Sequence, residues 1–203
     1  MRFAATVCHP PAGASPQRFH ATYFGFFAKA ALVNQVGMQQ AKVPYLNEAQ
    51  KVGGELLPHE APFPAPMLRM VDRIDGYLPT GGSKSLGLIQ GRIAVDPEFW
   101  FFKAHFYQDP VWPGSLGVES FLQLLKYVAW KRWGSPPVDG WQTVAPNRKH
   151  AWTYRGQVLP TDREVVVVLE VTEADDRAKR LTADGFLTVD GRVIYQMTGF
   201  TLE

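Results

Sequence analysis

"GVESFLQLLKYVAWKRW", residues 117–133, decides the fold. Val118, Phe121, Leu122, Leu125, Val128 and Ala129 recur at helical spacing, while Leu124 and Trp130 fall off that face. A helix apolar on most of its sides belongs in an interior. Ser115 is placed to cap its start, and Gly134 with Pro136 and Pro137 ends it. Strand patterns follow around 150–158, 164–172, 181–189 and 192–202. "EVVVVLEV", residues 164–171, is a continuous apolar run, as expected of a strand covered on both faces. Asp190-Gly191 between two such runs signals a tight hairpin. Upstream, 67–74 is a short amphipathic segment, 79–85 a turn, 86–95 a strand and 96–102 an aromatic turn or short helix. The expectation is an α+β fold with one long, mostly antiparallel sheet wrapped around one central helix. Such a sheet has an open edge and an apolar face, which favours pairing with a second copy.

Around this frame the composition is that of a globular chain, with 203 residues and 46% hydrophobic. The formal charge of +2 gives no support for a dedicated nucleic-acid binder. A single cysteine, Cys8, excludes an intrachain disulfide and fits a reducing compartment. The N-terminal apolar run is broken by His9-Pro10-Pro11 and is too short for a signal peptide. No run approaches the ~20 apolar residues of a membrane span, so the expected address is the cytoplasm. Residues 1–60 read as an N-terminal arm or linker with a short helix over 28–40. The Gly- and Pro-rich stretch 51–66 sets the boundary near 60, and 61–203 forms the main domain.

The chemistry concentrates in "HFYQDPVWPGSLGVES", residues 105–120. Pro110 and Pro113 stiffen the loop, and Gly114 permits close approach of a ligand to the backbone. The loop feeds a helix N-terminus, whose unpaired amides suit a carbonyl or oxyanion. His105 can act as a base near neutral pH. Glu119 is expected on the first helical turn, with Gln123 at i+4 to orient its carboxyl group. Base, acid and oxyanion donor are the parts needed to take a proton from beside a carbonyl and expel a hydroxyl. Each part also has an ordinary structural explanation. A histidine among Trp100, Phe101, Phe102 and Phe106 can be a packing residue, an early glutamate can serve the helix dipole, and Gln123 can face solvent.

"WFFKAHFYQDPVWPGSLGVESFLQLL" closely resembles the central signature of bacterial 3-hydroxyacyl–acyl carrier protein dehydratases of the hot-dog fold, especially the 3-hydroxydecanoyl type. The likeness continues in "PAPMLRMVDRI", "RGQVLP" and "ADGFLTVDGRVIY", and so spans about residues 62–203. It implies that His105 is the catalytic histidine and Glu119 the catalytic acid. It further implies that the Gly114 N–H holds the thioester carbonyl, the Val111 carbonyl orients the imidazole, and Gln123 contacts the acid. The dehydratases that also isomerise their product carry Asp at the acid position, and this chain carries Glu, as in those that only dehydrate, whereas its surrounding "DPVWPGSLG" resembles the isomerising type more, so the resemblance leaves isomerisation open. "YFGFFAKAALVNQVG" resembles the linker before a second dehydratase domain in polyunsaturated fatty acid synthases.

The implied substrate is a (3R)-3-hydroxyacyl chain on the phosphopantetheine arm of an acyl carrier protein, with no metal and no diffusible cofactor. In the family the histidine and the acid of one site come from different hot-dog units, which implies a homodimer or a second hot-dog domain as partner. An acidic carrier protein would meet basic residues, for which Lys131, Arg132, Arg148, Lys149 and 177–180 are candidates, though such charges also serve as ordinary solvated surface. A hot-dog thioesterase and a noncatalytic hot-dog partner are the rival readings. Scattered His9, His20, His59 and His150 make a poor metal-ligand series.

Overall fold

A computed structural model of the chain describes residues 3–4, 23–24, 36–51, 55–56, 61–137 and 140–203. The chain divides into two compact units, Met1–Gln35 and Val36–Glu203. In the first, strands β1 (Phe3–Ala4) and β2 (Tyr23–Phe24) pair antiparallel. The second holds β3 (Glu55–Leu56), β4 (Arg73–Leu78), β5 (Leu88–Ala94), α1 (Trp100–Ala104), α2 (Gly114–Trp133), β6 (Ala151–Tyr154), β7 (Glu164–Asp175), β8 (Arg180–Val189) and β9 (Arg192–Leu202). Its seven strands run in the order β3-β4-β5-β7-β8-β9-β6, every pair antiparallel.

The sheet wraps α2 as the periodicity predicts. Phe121, Leu124, Leu125, Val128 and Ala129 are fully buried against it. The helix begins at Gly114, with Pro113 in the capping position and no side-chain cap. Ser115 is therefore inside the helix and is not its cap. The Pro113 carbonyl accepts from the amides of Leu116 (3.0 Å) and Gly117 (3.3 Å), which closes the first turn without a hydroxyl. Gly134, at φ +80°, ends the helix as expected. Asp190 and Gly191 both have positive φ (46° and 81°), the geometry of a two-residue hairpin turn.

Close approach of helix to sheet rests on Gly185 of β8. A Cβ there would collide with the ring of Phe121 and the carbonyl of Val168. Backbone on one side leaves little room for adjustment. Gly185→Ala is expected to destabilise the fold by about 1–3 kcal/mol, read as a lower denaturation midpoint at unchanged m-value. A wild-type midpoint would mean that α2 does not seat on β8 as described.

The valine run of β7 divides between two faces. Val165, Val167, Leu169 and Val171 join the helix-side core. Val168 is buried on the other side with Leu46 and Leu88, and Val43, Leu78 and Val166 pack around them. Both faces are thus covered, one by α2 and one by the segment 36–51. That segment is held by Met38 N–H to the Val193 carbonyl (2.8 Å) and by Leu46 N–H to Gln90 Oε1 (3.2 Å). Gln90 in turn donates to the buried Asp75 (2.6 Å), which also takes two hydrogen bonds from Arg92 (2.6 and 2.8 Å). The carboxylate, 3% exposed, is compensated on both oxygens, as a buried charge requires.

The second compact unit begins at Val36, and within it Val43 and Leu46 pack against the sheet. Of the expected helix over 28–40, residues 28–35 lie outside the described residues, as does Cys8. Val36–Gln40 is irregular chain with a turn at Gln39–Gln40.

Candidate active site

α1 is anchored by Phe101 and Phe102, which are buried against Trp112 at ring-centroid distances of 4.7 and 6.3 Å. His105 follows as its C-terminal cap, with its amide donating to the Phe101 carbonyl (2.9 Å). The loop then reverses through Gln108, at φ +58°. It returns to the sheet where Trp112 N–H meets the Val158 carbonyl (3.0 Å), within the "RGQVLP" stretch. That reversal brings the buried Val111 back to the histidine, and His105 Nδ1 lies 3.3 Å from the Val111 carbonyl. A carbonyl only accepts, so among the neutral tautomers this contact favours the one with its proton on Nδ1 and its lone pair on Nε2. The Phe106 ring lies along the imidazole at a centroid distance of 4.0 Å.

The N-terminus of α2 comes next. The amides of Gly114 and Ser115 precede the first hydrogen bonds of the helix. Below them lies Tyr195 of β9, 1% exposed, whose ring fills the space a Cβ on Gly117 would need. Burial pushes the Tyr195 phenol well above its ordinary value of 10.0, so it is a neutral hydroxyl, paired with Tyr154. Beside Gly114 stands the edge of Trp152, 3.0 Å from where a Cβ would sit, with 41% of the residue exposed.

Glu119 and Gln123 share one helical face. Gln123 is fully buried, and each of its amide atoms is committed. Its Oε1 accepts from Met70 N–H (2.9 Å), and its Nε2 donates to the Leu68 carbonyl (3.0 Å) and to Glu119 Oε1 (3.1 Å). Two backbone contacts fix the amide's orientation, and it presents a donor to the carboxyl group. Lys126 Nζ lies 3.6 Å from the same Oε1. Glu119 is on the second turn of α2, because the helix starts at Gly114, and no acidic residue occupies the first. A dipole-capping role, strongest in the first turn, is correspondingly weakened.

His105 meets Val111, and Glu119 meets Gln123 and Lys126. Among the described residues, no hydrogen bond or ion pair joins His105 to Glu119 within one chain. Sequence reasoning passed over Lys126, although positions 119, 123 and 126 follow the i, i+4, i+7 spacing of one helix face. Trp152 and Tyr195 reach the helix N-terminus from strands distant in sequence, and no local pattern signals them. Among the described residues there is no cluster of three or more potential metal ligands, and no helix is long and apolar enough to cross a membrane.

The basic candidates separate by their partners. Arg132 pairs with Asp176 (2.5 Å), which also accepts from the Trp133 indole (2.8 Å). Arg132 and Trp133 hold the Asp176 carboxyl down at about 2. Arg180 pairs with Asp175 (3.2 Å), and Lys131 lies over the Tyr127 and Trp130 rings. Arg148, Lys149, Arg177 and Lys179 are exposed.

Residues 63–198 match the FabA-like domain family. A polyunsaturated fatty acid synthase polypeptide of Thraustochytrium sp. is 32% identical over 90% of this chain, which spans 14% of that protein's length. Among solved structures, the dehydratase heterocomplex ApeI:P of Xenorhabdus doucetiae has the same fold. Its TM-score is 0.53 at 12% identity, covering 73% of this chain and 92% of that one. A hypothetical thioesterase with coenzyme A from Streptococcus pneumoniae aligns at a TM-score of 0.40 and 11% identity, over 57% of this chain and 77% of its own.

Proposed function

The chain belongs to the FabA-like domain family of hot-dog dehydratases, and from that premise we propose that it removes water from (3R)-3-hydroxyacyl thioesters carried by an acyl carrier protein. The product is the trans-2-enoyl thioester, made in fatty acid, polyunsaturated fatty acid or polyketide synthesis in the cytoplasm. The observation that supports this reading is the His105–Val111 contact, which suits the neutral tautomer whose Nε2 lone pair would serve as the base.

The thioester carbonyl is held by the Gly114 amide, assisted by the positive end of α2. His105 Nε2 takes a proton from C2. The electron pair of that C–H bond forms the C2–C3 double bond as the C3–O bond breaks. Glu119, acting in its protonated form, gives its proton to the departing hydroxyl, which leaves as water. One turnover leaves an imidazolium and a carboxylate, and solvent returns a proton from the first to the second.

A second hot-dog unit completes the site, since His105 and Glu119 make no contact within one chain. The free edge of β6, with Trp152 exposed beside Gly114, supports this pairing. A heterologous hot-dog partner is the alternative to a homodimer, as in the Xenorhabdus heterocomplex. The carrier protein is proposed to dock through exposed cations such as Arg177 and Lys179, because Arg132 and Arg180 are already paired.

Mass spectrometry of carrier-bound 3-hydroxyacyl substrates of several lengths, incubated with this chain, tests the reading. Loss of one water with the thioester intact is expected. Release of free acid would indicate a thioesterase, and unchanged substrate at every length a noncatalytic partner.

A further inference from the structure

We propose that Lys126 is a positioning and charge-balancing residue for the acid of this site, an inference that rests on the dehydratase reading. Lys126 lies seven residues after Glu119, two helical turns along the same face. Its ammonium is 3.6 Å from Glu119 Oε1, with side chains 24% and 29% exposed. Among the described residues it has no other ion-pair partner. The Gln123 amide approaches the same oxygen. One carboxyl oxygen is thus bracketed by a neutral donor and a cation, and Oε2 is the oxygen left to face substrate.

Charge develops on this carboxyl group during the reaction. Glu119 enters as a neutral acid and leaves as a carboxylate when its proton departs with the hydroxyl. An ammonium interacts weakly with the neutral acid and strongly with the anion. Lys126 therefore stabilises the end of the proton transfer more than its beginning, the requirement for lowering a barrier. Partial burial screens the pair less than a surface pair. Gln123 fixes the carboxyl in space but carries no charge and cannot replace this contribution.

The test compares wild type, Lys126→Met and Lys126→Arg by steady-state kinetics on a carrier-bound 3-hydroxyacyl substrate, with melting midpoints recorded for each. Lys126→Met is expected to lower kcat by roughly tenfold, within the range set by surface pairs and preorganised donors. KM should stay within about twofold, and Lys126→Arg should recover most of the loss. An unchanged or raised kcat in Lys126→Met overturns the proposal. So does a raised KM at constant kcat, which would assign Lys126 to binding the carrier or its arm. A loss that Arg does not recover, accompanied by a lower melting midpoint, assigns it to folding and overturns the proposal as well. A wild-type chain that releases no water defeats the dehydratase reading itself, whereas an active wild type with an unaltered Lys126→Met defeats this inference alone.

Discussion

His105→Ala is expected to reduce water loss from a 3-hydroxyacyl thioester by about 10²–10⁴-fold in kcat, the usual contribution of a positioned base. The variant should still fold, because His105 lies at the end of a short helix and is only partly buried, while Phe101, Phe102 and Trp112 carry the local packing. The hydrogen bond from its backbone N–H to the Phe101 carbonyl survives the substitution. What disappears is the Nε2 lone pair oriented through Val111. Full activity in a folded variant would show that another group takes the C2 proton.

Glu119→Gln is expected to reduce kcat by about 10²–10³-fold with substrate affinity retained within a few-fold, since removing a single proton donor of this kind costs about that much. The amide has the size of the acid and can still meet Gln123, so the slot keeps its shape. It cannot deliver a proton to the hydroxyl. Kinetics at saturating substrate, together with a binding measurement on a carrier-linked analogue lacking the hydroxyl, separates the two effects. A large loss of affinity with kcat preserved would make Glu119 a binding residue.

Much of this arrangement is legible in the chain itself. The burial of α2 follows from apolar side chains on most of its sides, and the β8–β9 hairpin follows from Asp190-Gly191. The valine run of β7 correctly implies cover on both faces, but not what supplies the second cover. Val43 and Leu46 stand in a stretch without periodicity, so their burial emerges only when 36–51 meets Leu88 and Val168. Ser115 looks like a cap because serine usually caps helices. Here Pro113 already supplies the carbonyl that closes the first turn, and the helix starts one residue before Ser115.

The candidate site follows the same division. His105, Val111 and Gly114 sit on one short loop, and their placement follows from local geometry. Glu119 and Gln123 are a helical i, i+4 pair whose hydrogen bond is equally local. What fixes Gln123 is not local, because its partners at Leu68 and Met70 come from a segment more than fifty residues upstream. The meeting of imidazole and carboxyl group is still less legible, since it is proposed to arise between two copies.

That meeting is tested most directly by mixing the two inactive chains. His105→Ala and Glu119→Gln proteins, unfolded together and refolded as a random mixture, form mixed dimers in which one site receives an intact histidine from one copy and an intact glutamate from the other. Roughly one quarter of wild-type activity is predicted, because about half the dimers are mixed and one of their two sites is complete. A mixture of demonstrated dimers no more active than either variant alone would contradict a site shared between chains.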